Sequence, residues 1–213
     1  MSTVKPRSYS SPLRAAQAEA NRAAILRAAR DLFLAQGYGA TTVDQIAATA
    51  GVSKPTVFSA VGNKAELLRI VRDVAIAGDD DPVPVSARPT VEAISDAPDL
   101  ATAAAAAAAH IGGIGQRYGG VHDVLRGAAA AGDPAMRRLW ESAEEERLRG
   151  SGLLVDLLAA KGALAVPRER AVDELWLFMA PDNHLRLVRD RGWSHEAFVE
   201  WLTVTILGRL FAA

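Results

Sequence analysis

The residues with the most evident chemistry crowd into positions 42–64: Thr42, Ser53, Lys54, Thr56, Ser59 and Lys64. Their hydroxyls and ammonium groups donate hydrogen bonds to anionic oxygens, and a lysine can also serve the O6/N7 edge of guanine. Pro55 adds an apolar edge suited to a thymine methyl. This is the equipment of recognition and not of bond making. Elsewhere His110 and His122 are separated by a glycine-spotted stretch. No Ser/His/Asp arrangement, phosphate loop or metal-ligand spacing emerges, so neither a catalytic residue, a metal nor a cofactor is expected.

The elements that must hold these residues follow from local rules. Thr42 can cap a helix with Gln45 three residues on, and Val43, Ile46 and Ala47 then share one side. Gly51 sits where the chain must reverse. Ser53 can cap a second helix with Pro55 in its first turn; Val57 then faces inward, leaving Lys54, Thr56 and Ser59 outward. Asn63 and Glu66 give a further capped start. Two short helices about a glycine turn make a helix-turn-helix. A first helix over 20–36, closed by Gly37, buttresses it through Ile25, Ala29, Leu32 and Phe33. A fourth, from Asn63 to about Ala77, connects this assembly to the rest through Leu67, Leu68, Val71 and Val74.

Residues 25–68, with LF, GY and TTV, then IA and AGVS, then TVF and NKAELL in that order, resemble the N-terminal domain of TetR-family (tetracycline-repressor-like) transcriptional regulators. The resemblance implies that the second helix of the motif enters a major groove. It implies that Thr42 holds a backbone phosphate and that Lys64 is the family's phosphate-binding lysine, with Lys54 the candidate base contact. Phe58 departs from the pattern, standing where a tyrosine commonly bonds a phosphate. It either contacts DNA in another way or packs against the first helix. Ser59, Ala60 and Val61 replace a segment that often carries aromatics or histidine, which leaves a smaller contact set. DPAMRRLW, LLAAKGAL and LVRDRGW look like a recurrent arrangement within the family.

The net charge of -1 conceals a division. Residues 1–78 hold 10 Lys/Arg against 5 Asp/Glu (+5), and the remainder 14 against 20 (-6). The basic part coincides with the helix-turn-helix, as a phosphate-facing domain should. Residues 1–18, rich in Ser, Pro and basic groups, read as a flexible arm, 19–78 as the DNA-binding domain with its connecting helix, and 79–213 as a helical effector-binding and dimerisation domain. Half the residues are hydrophobic but only 6% aromatic, with alanine prominent, so the expected fold is all-α. The absence of cysteine suits a reducing cytoplasm. No signal-peptide core or membrane span is apparent, the alanine run at 103–109 being too short.

Four prolines (82, 84, 89 and 98) mark 79–99 as a linker, interrupted by a short helix from Thr90. Helices are expected over 100–116, 121–131, 134–161, 168–191 and 195–211, with a kink or break at Pro181. In the fourth-last of these breaks, the glycines at 112–120 stop the first alanine-rich helix; on the 134–161 helix Glu141, Glu144, Glu145 and Glu146 form a mostly solvated face. One motif per chain implies a homodimer, and the last two helices, about 168–212, carry more apolar residues than a surface helix needs. The middle helices would enclose a small-molecule effector in this family, with His110, Tyr118, His122, Trp140, Trp176 and Met179 the residues to inspect. The function expected is a repressor released from a palindromic operator on duplex DNA by that effector. A non-specific or architectural DNA binder and a small helical enzyme are the alternatives.

Overall fold

The structure, a computed structural model, describes residues 12–212. It is all-α: among the described residues the one β-type pairing is an isolated bridge between Leu164 and Phe211. The chain divides into two compact units, Met1–Ile70 and Val71–Ala213.

In the first unit α1 (Pro12–Ala40) is followed by α2 (Val43–Ala50), α3 (Lys54–Val61) and the start of α4 (Lys64–Ala77). Helix α1 begins well before residue 20, so 12–18 of the expected arm are helical; residues 1–11 lie outside the described residues. Gly37 breaks the helical backbone as expected, at φ 79°. Ile25, Ala29, Phe33, Ile46 and Val57 are fully buried and form the core of this unit. The division between units falls inside α4, not after Gly78. Its last turns belong with the second unit because Arg117 donates to the carbonyls of Ala75 and Ile76 at 3.1 Å each.

The second unit continues through a 3-10 turn (Val85–Ala87), α5 (Pro89–Ser95), α6 (Leu100–Ala130), α7 (Pro134–Ala159), α8 (Arg168–Phe178), α9 (Pro181–His184), a π-helical stretch (Leu185–Asp190) and α10 (His195–Leu210). The proline-rich stretch is tied down: Arg88 grips Asp79 with two hydrogen bonds of 2.6 and 2.8 Å. Helix α6 is one helix, not the two expected. Its glycines do not stop it because neighbours occupy the space their side chains would fill. A Cβ on Gly112, Gly115 or Gly119 would lie 2.9 Å from Val199, 2.7 Å from His184 and 2.8 Å from Leu185 respectively. The chain breaks at Pro181: α8 ends at Phe178, and Asn183 Nδ2 donates to the carbonyls of Leu177 and Phe178. The core beneath is built from Leu154, Val155, Leu158, Leu175, Phe198 and Leu202, with α6 supplying alanines.

Candidate nucleic-acid interface and internal cavity

Both caps of the helix-turn-helix form as their spacing requires. Thr42 Oγ1 accepts from the Gln45 amide while Gln45 Oε1 accepts from the Thr42 amide, closing a capping box. Gly51 takes the left-handed conformation at φ 69°, and its amide donates back to the end of α2. Ser53 Oγ accepts from the Thr56 amide at the start of α3. Burial of Val57 and Val61 then fixes the rotation of α3. The opposite side displays Ser53, Lys54, Pro55, Phe58 and Ser59, with Thr56 half-buried. Phe58 is 47% exposed, so about half of it stands outward with the polar residues.

The polar groups of this surface already hold one another. The hydroxyls of Ser53 and Thr56 lie 2.7 Å apart, and Ser59 Oγ donates to the Thr56 carbonyl. Lys54 Nζ sits 3.0 Å from Asp44 Oδ2, both largely exposed. Lys64 is more constrained than its expected role suggests. Its ammonium donates to the carbonyls of Tyr38 and Thr41 at 2.9 and 3.0 Å and lies 4.2 Å from the centroid of the Tyr38 ring. An ammonium has three donors, so one stays available to an anion. Two residues were missed by reading the sequence. Thr41 is fully buried and donates to the Gly37 carbonyl, locking the end of α1 to α2. Asp44, in the first turn of α2, is the acidic partner that Lys54 must exchange for a phosphate or a base.

The second unit encloses a cavity of about 550 Å³. Four of the six residues singled out for inspection line it: His110, Tyr118, His122 and Met179. Trp140 and Trp176 stand behind the wall. The Trp140 ring packs 4.9 Å from His122, and the Arg147 guanidinium lies 4.2 Å over Trp176 while donating to its carbonyl. The mostly solvated face holds at Glu141, Glu145 and Glu146, which are exposed, while Glu144 is partly buried. Glu144 and Glu146 also border the cavity, Arg147 pairing with Glu144 and Arg72 with Glu146. Arg72 is the buried member, 4% exposed, and no local pattern pointed to it because its partner comes from another helix.

The electrostatics follow from this pairing. Burial works to raise the Glu144 carboxyl, but the His122 and Arg147 side chains outweigh it and hold it below the usual range. Burial pushes the Tyr118 phenol up to about 12, so it is a proton donor at any neutral pH. His110, whose Nδ1 lies 3.0 Å from the Thr90 hydroxyl, is held below its ordinary value by burial and by the charge of Arg117. On the far side of the wall His122 Nδ1 approaches Asp182 Oδ1 at 2.9 Å. His122, Asp123 and Asp182 bring potential ligand atoms within 4.8 Å of one another. Arg126 bonds Asp123 at 2.8 Å, and Arg189 and Arg186 lie 3.6 Å from Asp123 and Asp182, so the cluster is already charge-balanced.

A capped helix-turn-helix with an exposed polar second helix, joined to a larger helical unit with its own cavity, defines a helix-turn-helix protein with a separate sensing-sized domain. Residues 25–71 match the family described as bacterial regulatory proteins, tetR family. It is 39% identical over 83 residues to the uncharacterized HTH-type transcriptional regulator YdeS of Bacillus subtilis, an alignment covering 39% of this chain and 41% of YdeS. The chain thus spans less than half the length of that relative. Among solved structures, a protein from Saccharomonospora viridis described as a transcriptional regulator, in complex with choline, superposes with TM-score 0.65 at 16% identity, over 90% of this chain and 98% of that one. A Clostridium perfringens protein described as a fatty acid metabolism regulator gives 0.64 at 17%, over 89% and 100%. At such identities these two share the fold.

Proposed function

We propose that this chain is a sequence-specific DNA-binding transcriptional regulator, a repressor that leaves its operator when a small molecule fills the cavity of the second unit. The observation that carries the reading is the orientation of α3. Its apolar residues Val57 and Val61 are buried, and Ser53, Lys54, Pro55, Phe58 and Ser59 are offered outward together. The basic balance of residues 1–78 supports it. In this reading Lys54 releases Asp44 to meet a base edge, and Thr42 at the N-terminus of α2 and the remaining donor of Lys64 meet phosphates.

The operator requires two copies. Leu177 on α8 and Val204 on α10 are 58% and 65% exposed, and Trp193 between these helices is 38% exposed. Apolar side chains so displayed fit a dimer in which the last two helices of each copy pack together. Helix α4 begins at Lys64 and carries Arg72 and Ile76, which line the cavity, so one helix bears both a DNA-facing lysine and cavity-wall residues. A ligand favouring one setting of this helix would disfavour the other, which is what release requires.

The test is capture of genomic fragments by the full-length dimer, followed by binding to the enriched fragment and to scrambled duplex over a salt series. The expected result is a palindromic site bound at least 1000-fold or so tighter than scrambled duplex, with affinity falling steeply as salt rises. Equal affinity for both duplexes points to an architectural binder and removes the regulator reading.

A further inference from the structure

The cavity carries an asymmetry in its hydrogen-bonding groups. Four buried polar atoms on its lining residues have no hydrogen-bond partner: Tyr118 Oη, Arg72 Nε, Arg147 Nε and His122 Nδ1, the last facing Asp182 Oδ1 at 2.9 Å. Arg72 and Tyr118 are 4% and 5% exposed. Arg72 Nε lies 3.6 Å from the Asp73 carboxylate, too far for a hydrogen bond. The phenol and the two arginine nitrogens are donors. The acceptors in the same wall, the carboxylates of Glu144 and Glu146, are already taken by Arg147 and Arg72. Buried donors without acceptors are costly, and a ligand that supplies the acceptor recovers that cost.

The arginines of the lining are paired with carboxylates: Arg147 with Glu144, Arg72 with Glu146, and the largely exposed Arg149 with Glu145 at 3.9 Å. Ile76, Val85, Val91, Ile114 and Leu154 supply an apolar wall alongside. We propose that the cavity takes an amphipathic carboxylate: an anionic head received by the Tyr118 hydroxyl and the free Nε donors of Arg72 and Arg147, with an aliphatic body against the apolar wall. The high pKa of Tyr118, raised by burial, keeps the phenol protonated and therefore donating. A cationic head would meet three donors; a neutral alcohol would satisfy at most one or two of them. This identification of ligand class rests on the ligand-cavity reading above.

Three probes of one chain length decide it: octanoate, octan-1-ol and octyltrimethylammonium, each titrated calorimetrically into the full-length protein and into Tyr118→Phe. Octanoate is expected to bind at least about tenfold tighter than either of the others, and Tyr118→Phe to weaken octanoate by about tenfold while barely changing octanol. Without ligand, Tyr118→Phe should melt at or above the parent temperature, since its hydroxyl has no partner to lose. A clearly lower melting temperature, equal binding of the alcohol, or preference for the ammonium probe overturns the carboxylate assignment and leaves a ligand cavity standing. Binding of none of the three overturns the assignment too. Retention on operator DNA is scored separately: octanoate that binds without releasing DNA sinks release by effector and leaves this inference intact.

Discussion

Lys54 of the outward-facing helix is held by Asp44 of the helix before it, Nζ to Oδ2 at 3.0 Å, with both side chains half or more exposed. An exposed pair of this kind is worth at most about 1 kcal/mol, so the contact adds little to folding. It does place a negative charge beside the lysine proposed to touch DNA. Asp44→Asn is therefore expected to tighten operator binding by up to about fivefold, with a small loss from the start of α2. Fluorescence anisotropy on the enriched fragment checks this. Weaker binding by the variant would show that Lys54 needs Asp44 to be positioned.

Two glycines of α6 make opposite predictions. A methyl on Gly115 would sit 2.7 Å from His184 Cβ and 3.0 Å from Cγ, atoms near the backbone that cannot swing away. Gly127 has nothing within 4 Å of the same position. Gly115→Ala should cost about 1–3 kcal/mol by overpacking, and Gly127→Ala should gain about 0.5–1 kcal/mol from helix propensity. Denaturant melts of the two variants measure both. Equal effects would mean that α6 does not sit as close to α9 as described.

Acid should weaken the second unit before its carboxylates titrate. His184 is held below its ordinary value of 6.5 by burial and by the neighbouring His195, whose Nδ1 lies 3.2 Å from His184 Nε2. His110 is shifted the same way. A lowered histidine pKa means that the unfolded chain takes up protons the fold refuses. Stability is then complete above pH 6.5 or so and falls as the pH drops from there toward the folded values. Glu144, with its lowered carboxyl, adds a loss only at lower pH. Melting temperature measured from pH 7.5 to 5 should decline, by about 2–4 °C for each kcal/mol. The decline should flatten in a His110→Gln/His184→Gln double variant. A flat parent profile is the contrary result.

Charge placed on the exposed face of α10 tests the dimer. Val204 is 65% exposed, so Val204→Glu leaves the monomer's packing alone. Light scattering should show a shift toward monomer, and operator affinity should fall together with it. An unchanged dimer would move the interface elsewhere.

The helix-turn-helix was legible because its determinants lie a few residues apart. Thr42 with Gln45, Ser53 with Thr56, and Asn63 with the Glu66 amide all bond three positions on, which spacing alone reveals. Glycine in α6 was misread for the opposite reason. Its local cost is visible in sequence, while the Val199, His184 and Leu185 side chains that use the space come from distant positions. The cavity was legible where α6 lines it, at His110, Tyr118 and His122. It was hidden at Arg72, since an arginine on an amphipathic helix looks solvated until its partner, here Glu146 of another helix, is known. Lys64 shows a subtler limit: its place at a helix start was readable, but the Tyr38 and Thr41 carbonyls that occupy two of its protons were not.

Along one flank α6 carries Ala103, Ala104, Ala107 and Ala108, all fully buried, and then Gly112, Gly115 and Gly119. Ile111 stands among them, but these residues carry nothing longer than a methyl group, and their tolerance of change is lopsided: trimming has almost nothing to remove, while enlarging a glycine pushes against the side chains of Val199, His184 or Leu185. The helix behaves as a thin rail, whose neighbours are kept at a fixed gauge by what it lacks.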